Sequence, residues 1–377
     1  MLSTETVFEQ IRAEGVRFFT GVPDSLLKDF CAWVTDHSSD DEHVITANEG
    51  NAVALAMGHY LGTGEPALVY LQNSGVGNTV NPLLSLADPE VYGIPMLMMI
   101  GWRGEPGVKD EPQHVKQGRV MTNLLDAMEI PWYVLDADTP DSAAVIREAA
   151  GTMRDEQMPV ALLVRKGAFE KYKLRKEVKT DFRMDREAAV KCVVDLLGPS
   201  DAVISTTGKT SRELYEYRGE RGEGHGHDFL TVGGMGHTAS IAMGVARGQP
   251  DRRVVCLDGD GSVLMHMGAL AIIGQSELSN LIHVVINNGA HDSVGGQPTA
   301  GFSVDFPAVA RACGYREAVV VDQPEDVQRE FERLTQTGGP ALLEIRTNKG
   351  ARDDLGRPKT TPAENRDALM GVLGTKR

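Results

Sequence analysis

VVCLDGDGSVLMHMGALAIIGQSELSNLIHVVINN, Val254 to Asn288, is the stretch on which the fold turns. An apolar run of strand length ends in Asp258, Gly259, Asp260, Gly261 and Ser262. A helix-period segment follows, and a second apolar run stops at Asn287 and Asn288. Between Gly261 and Asn287 lie 25 residues, room for one helix and the next parallel strand. The two polar ends therefore fall side by side at the carboxyl edge of one sheet, where open α/β sheets bind ligands. An acidic oxygen and an amide oxygen come within reach of one cation there, and the glycines let an anion approach the backbone.

Working outward, the same alternation fills the chain. Strand candidates in the first half are RFFTGV, HVITA, ALVYLQ, PMLMMIG, WYVLD and VALLVRK; in the second they are AVISTTG, DFLTVGG, RVVCLDGDG, LIHVVINN, EAVVVD and ALLEIRTN. Helix candidates between them include DSLLKDFCAWV with an N-cap at Asp24, NEGNAVALAMGHYL, DSAAVIREAAGTMR, HTASIAMGVARG and VLMHMGALAIIG. Strand-helix alternation implies doubly wound parallel sheets. Residues 169–183, charged and without a sustained period, read as a linker between a domain over 1–168 and a second over 184–377. The expected fold is two similar α/β domains in tandem. A length of 377 residues also favours two cores over one.

With Lys+Arg 38 against Asp+Glu 53, the net charge of −15 argues against binding nucleic acid or an anionic membrane. The four cysteines are widely spaced in apolar contexts, without metal-ligand spacing, which fits reduced thiols in a cytoplasmic protein. The first residues read as an amphipathic helix rather than a signal peptide.

Several chemistries compete for the aspartates after the strand. An EF-hand counted from Asp258 needs Gly at its sixth position and Glu at its twelfth, where the chain has Val263 and Ala269. A dehalogenase-type phosphatase also uses a DxD pair after a strand, and the motif alone leaves it open. A dinucleotide fold needs GxGxxG after the first strand, and TGVPDSLL lacks it. The double Asn could equally be a turn that ends a strand.

GDG, then 25 residues, then NN resembles the signature of thiamine diphosphate enzymes. That resemblance implies Asp260 and Asn288 as magnesium ligands, the Ala290 carbonyl as a third, and a structural Asn287. Gly259, Gly261 and Ser262 would adjoin the diphosphate, with Thr207 and Gly208 of STTGKTSREL meeting it from another strand end. TVGGMGHTASIAMGVA resembles the segment that places a bulky apolar residue under the bent cofactor, implying roles for Gly234 and Met235. ITANEGNAVALAMG resembles the segment carrying the glutamate that tautomerises the aminopyrimidine, so Glu49 is the candidate. A noncatalytic subunit of this fold would be expected to lack Glu49 or the metal ligands; all are present.

Two domains without the middle domain of most 2-oxo acid decarboxylases, together with LQNSGVGNTVNPLLSL, KDEPQHVKQGR, NNGAHDSVGGQPT and GARDDLGRPKTTPAEN, resemble the phosphonopyruvate decarboxylase family over nearly the whole chain. Sulfopyruvate decarboxylases are the nearest relatives and the alternative. The implied reaction is nonoxidative decarboxylation of 3-phosphonopyruvate to phosphonoacetaldehyde and CO2, in phosphonate natural-product synthesis. The active site would form across the interface of a homodimer or homotetramer. A small anionic 2-oxo acid in an acidic protein needs local cations, and the candidates are Arg103, Lys109, Lys116, Arg119, Arg352, Arg357 and Lys359. His114 and His291, expected in loops, are candidates for proton transfer or carboxylate steering, and Gln72, Asn73 and Gln297 for hydrogen bonds to the substrate.

Overall fold

The computed structural model describes residues 1–375. The chain divides into two compact units. Unit 1 comprises Met1–Glu177 with Ser293–Gln297, and unit 2 comprises Val178–Asp292 with the chain from Pro298 onward.

Unit 1 runs α1 (Thr4–Ala13), β1 (Phe18–Gly21), α2 (Lys28–His37), β2 (His43–Ile45), α3 (Glu49–Thr63), β3 (Ala67–Gln72), α4 (Val76–Pro82), β4 (Met96–Gly101), α5 (Pro112–Ala127), β5 (Trp132–Leu135), α6 (Ser142–Asp155) and β6 (Pro159–Val164). Its six strands are parallel, in the order β2-β1-β3-β4-β6-β5. Alternate residues of β3 serve two cores: Leu68 and Tyr70 pack with α1, α2 and α6, while Ala67, Val69 and Leu71 pack against α3 and α5. That two-sided burial is why the strands read as unbroken apolar runs instead of alternating ones.

Unit 2 runs α7 (Arg186–Asp195), β7 (Ala202–Ser205), α8 (Lys209–Glu220), β8 (Asp228–Leu230), α9 (Thr238–Gly248), β9 (Val254–Gly259), α10 (Asp260–Met265), α11 (Ala269–Gly274), β10 (Leu281–Asn287), α12 (Phe306–Ala312), β11 (Glu317–Val321), α13 (Pro324–Thr337), β12 (Ala341–Arg346) and α14 (Pro362–Val372). Its sheet is also parallel, in the order β11-β12-β10-β9-β7-β8. Read from the other edge and counted within the unit, this is the strand order of unit 1. Each unit therefore has one point where successive connections leave in opposite directions: between β1 and β3 in unit 1, and between β7 and β9 in unit 2. Two cores again flank the sheet, with Val255 and Leu257 of β9 in one and Val254 and Cys256 in the other.

All twelve expected strands are present. Two local expectations are corrected. α2 starts at Lys28 and not after Asp24, because the Asp24 carboxylate accepts the Leu26 and Leu27 N–H groups in a turn that precedes the helix. VLMHMGALAIIG is not one helix but two, α10 and α11, broken at His266 to Gly268. The C-terminal stretch adds one further helix. α14 has a capping box at Thr361 and Glu364, and its buried Asn365 donates to the Asp228 carbonyl and accepts from the Leu230 N–H on β8.

Linker residues near position 172 form neither helix nor strand, and dock on α2: the Tyr172 hydroxyl and the Arg175 and Lys176 N–H groups all donate to the Asp36 carboxylate.

Packing overrides helix propensity at one glycine. Ala normally stabilises a helix position relative to Gly by about 0.5–1 kcal/mol. At Gly274 a Cβ would overlap the Cys313 carbonyl oxygen, whereas at exposed Gly244 it would meet nothing. Gly274→Ala is expected to cost about 1–3 kcal/mol, and Gly244→Ala to stabilise; denaturant unfolding of the two variants measures the opposite signs.

Candidate active site

In unit 2 the chemistry gathers at the carboxyl ends of β7, β9 and β10. Register pairs Val285 with Asp258 and Ile286 with Gly259, so the two motifs leave the sheet as neighbours. The Asp260 carboxylate accepts the backbone N–H of Asn288 and the Thr299 hydroxyl. Burial raises its pKa to about 6 despite those donors. Asn288 is buried, and its Oδ1 accepts the Ala290 N–H at 3.2 Å. Asn287 turns inward instead: its Nδ2 donates to the Gly301 carbonyl and to Glu344 Oε1, both at 2.8 Å, and its Oδ1 accepts the Gly289 N–H.

Ser262 ties three strand ends together. Its hydroxyl accepts from Thr206 Oγ1 at 3.3 Å and from the Gly236 N–H at 3.1 Å. Thr207 and Gly208 lie between β7 and α8, with Gly208 at φ +99° as the N-cap of that helix. Gly261 lies bare beneath three side chains: Met235 Cε, Thr299 Cγ2 and His291 Cε1 are 3.3, 3.5 and 3.6 Å from where a Cβ would sit. Gly234, before Met235, has a positive φ of 67°. Behind this edge, Cys256, Asp258 and His283 place ligand-type atoms within 4.8 Å of one another. The Tyr315 hydroxyl is 3.2 Å from His283 Nδ1. Asp258 and Cys256 belong to this interior polar cluster, which the apolar context of Cys256 did not announce.

In unit 1, Glu49 is the first residue of α3 and is 6% exposed. Asn78 Nδ2 donates to its Oε2 at 2.7 Å, and no cation offsets its burial, so its pKa is raised. Gly75 leaves room for it, since a Cβ there would overlap the Glu49 carboxylate. Gln72 is held between Asp24, to which it donates at 2.6 Å, and the Ser74 hydroxyl. Asn73 has both ends of its amide on the Arg103 backbone. His114 is corrected from loop to helix: it lies in the first turn of α5, buried, with Nδ1 unpartnered. Burial, aided by Arg103, lowers its pKa to about 4. Burial alone does the same to His291. Both imidazoles are therefore neutral at neutral pH in the cofactor-free chain, and an adjacent anion would raise them.

The candidate cations separate. Arg103 is committed to Asp110 and to the Ser25 hydroxyl. Arg352 bridges Glu187, Glu216 and Asp354, which makes it an anchor for the C-terminal segment. Lys109, Lys116, Arg119, Arg357 and Lys359 are exposed. Gln297 is fully buried with neither amide atom hydrogen-bonded. Sequence reading missed Asn78, Thr299, Arg186, Lys209 and Asp292. Each matters through a partner far along the chain, and no local spacing signals that.

Two parallel sheets of one strand order, with a buried glutamate at a strand end of one and an Asp-Asn pair at adjoining strand ends of the other, define a thiamine diphosphate enzyme. Residues 1–130 match the N-terminal TPP-binding domain of thiamine pyrophosphate enzymes, and residues 206–345 match the C-terminal one. The phosphonopyruvate decarboxylase of Streptomyces viridochromogenes is 37% identical over 365 residues, covering 93% of this chain and 89% of that protein. That of Streptomyces hygroscopicus is 37% identical over 383 residues, covering 97% and 92%. A sulfopyruvate decarboxylase of Methanosarcina acetivorans is 25% identical over 356 residues, covering 88% and 87%. The chain belongs to the phosphonopyruvate decarboxylase family.

Burial of Glu49 has a measurable cost. A carboxyl whose folded pKa is raised above 4.5 contributes stability that is full below that value and lost as pH rises through the folded pKa. Glu49→Gln keeps an acceptor for Asn78 and removes the titration. The cofactor-free variant is expected to melt above its parent at about pH 7–8, with the gap closing toward pH 4.

Proposed function

We propose that this protein catalyses thiamine diphosphate- and Mg2+-dependent decarboxylation of 3-phosphonopyruvate to phosphonoacetaldehyde and CO2. The observation that carries the reading is 37% identity to phosphonopyruvate decarboxylases along almost the full chain. The meeting of Asp260 with Asn288 at one sheet edge supports the cofactor assignment.

The donor set fits a hard cation. Asp260, Asn288 Oδ1 and the Ala290 carbonyl offer only oxygen, as Mg2+ prefers, and phosphate oxygens and water would complete six ligands. Bound thiamine diphosphate supplies a carbon nucleophile and a sink for the electron pair released with CO2. Glu49, uncompensated and raised in pKa, is suited to hold and return a proton at the pyrimidine ring. Met235 presents an apolar wedge above Gly261. His291, beside that glycine, and His114 are the proton-handling and carboxylate-steering groups. Lys109, Arg357 and Gln297 are the groups assigned to the phosphonate end.

The site forms across subunits of a homo-oligomer, Glu49 of one chain serving the cofactor held by another. Among the described residues no helix is long and apolar enough to cross a membrane. Irreversible CO2 loss suits a step that pulls an unfavourable rearrangement forward in phosphonate synthesis.

The test is CO2 release from phosphonopyruvate and from sulfopyruvate, with and without thiamine diphosphate and Mg2+. Release from phosphonopyruvate requiring both additions is expected, abolished by chelation and lowered more than about 100-fold by Asp260→Ala. Absence of cofactor-dependent release from either substrate would overturn the reading. A higher kcat/KM for sulfopyruvate would move it to the sulfonate, towards which the Methanosarcina relative points. Lys109→Ala and Arg357→Ala are expected to raise KM while leaving kcat within about threefold.

A further inference from the structure

Unit 2 contains a buried ion cluster that the cofactor motifs do not explain. Arg186, the first residue of α7, is 5% exposed. Its Nε and Nη2 donate to the two carboxylate oxygens of Glu213 on α8, at 2.9 and 2.7 Å. Its Nη1 donates to Asp292 Oδ2 at 2.5 Å, and Nη2 also reaches the Gly350 carbonyl at 3.1 Å. Asp292 Oδ2 accepts the Gly350 N–H as well, and Lys209 Nζ stands 3.6 Å from its other oxygen. One guanidinium thus fixes two helices, the start of the C-terminal segment and the end of the turn that follows β10.

A buried ion cluster is weak evidence for stability, because well-packed apolar residues commonly serve a fold as well or better. What it supplies is geometry, through a rigid fork whose donors have fixed directions. The turn it holds has backbone ties of its own, from Gly289 and Ala290 to Thr299 and Pro298, and the fork adds a side-chain anchor at its far end. Asn288 to His291 contains Gly289 at φ +63°, and a glycine leaves the backbone more conformations than any other residue. Upstream the turn is fixed by Asn287 and by the Asn288 N–H on Asp260. Downstream its side-chain anchor is Asp292, next to the histidine that approaches Gly261.

We propose that Arg186 is a positioning residue, which through Asp292 holds the turn from Asn288 to His291 in its working place against Asp260 and Gly261. The catalytic part of this inference rests on the decarboxylase reading above; the mechanical part does not. Arg186 touches no reacting atom and acts only through the turn.

The test uses the full-length protein and three variants. Asp292→Asn leaves the Arg186–Glu213 pair intact, so the fold is retained, and Arg186→Lys removes the fork while keeping the charge. Hydrogen exchange in the peptide covering Asn288 to Asp292 is expected to speed up at least about tenfold in both, with melting temperatures within about 4 °C of the parent. In the holoenzyme kcat is expected to fall at least about tenfold with KM within about threefold. Arg186→Ala should regain kcat when millimolar guanidinium is added, which loss of folding alone would not permit. Unchanged exchange in Asp292→Asn would overturn the clamp. Faster exchange with unchanged kcat would overturn its catalytic part. A wild-type protein that releases no CO2 would instead overturn the decarboxylase reading and the catalytic part together, and exchange would still decide whether Arg186 holds the turn.

Discussion

The ladder between β9 and β10 is the interaction on which the second unit's chemistry depends. By setting Gly259 beside Ile286 it delivers Asp260 and Asn288 to the same edge, where the backbone of one hydrogen-bonds the carboxylate of the other. A slip of one residue would swap the faces of β10, exchanging the side chains that fill one core with those that fill the other and moving Asn288 out of line with Asp260. The core and the site thus specify the same register. Neither strand offers an alternative, because each is buried on both faces.

The polar groups at these strand ends work against the fold that carries them. Glu49 and Asp260 are buried carboxyls with raised pKa values, and the protein supplies them with neutral donors instead of cations. Asn78 and Thr299 soften the penalty without cancelling it. A full ion pair would suit a buried carboxyl better and the chemistry worse, since a carboxylate matched to an arginine neither takes up a proton readily nor accepts a new cation. Elsewhere in the same chain the opposite choice appears: Asp228, equally buried, is bound by both ends of the Arg218 fork. That contrast separates residues held ready for reaction from residues that fasten helices to the sheet.

Most of the fold was legible because parallel sheets write themselves as unbroken apolar runs ended by Gly, Asp or Asn. β4 and β9 have that form most plainly, and the spacing from GDG to NN reports a strand-helix-strand unit. The break between α10 and α11 was not legible, since His266 to Gly268 lies inside a continuous apolar pattern with no proline. Asp24 resembled a helix cap because it does bind N–H groups, but those of the turn ahead of the helix. His114 was misplaced for a related reason: Pro112, read as part of a loop, is the first residue of α5. The Arg186 cluster could not be read at all. Its members lie 27, 106 and 164 residues from Arg186, and only the folded chain brings them together.

Both units share one strand order, and each buries both faces of its own sheet. A cut between Glu177 and Val178 would sever no helix or strand. The peptide bond there does a different job from the contacts that build either core. It makes one copy of each unit for every copy of the other, and keeps the two at a mutual concentration that separate chains would reach only by abundant synthesis. In that sense the linker is a device for stoichiometry.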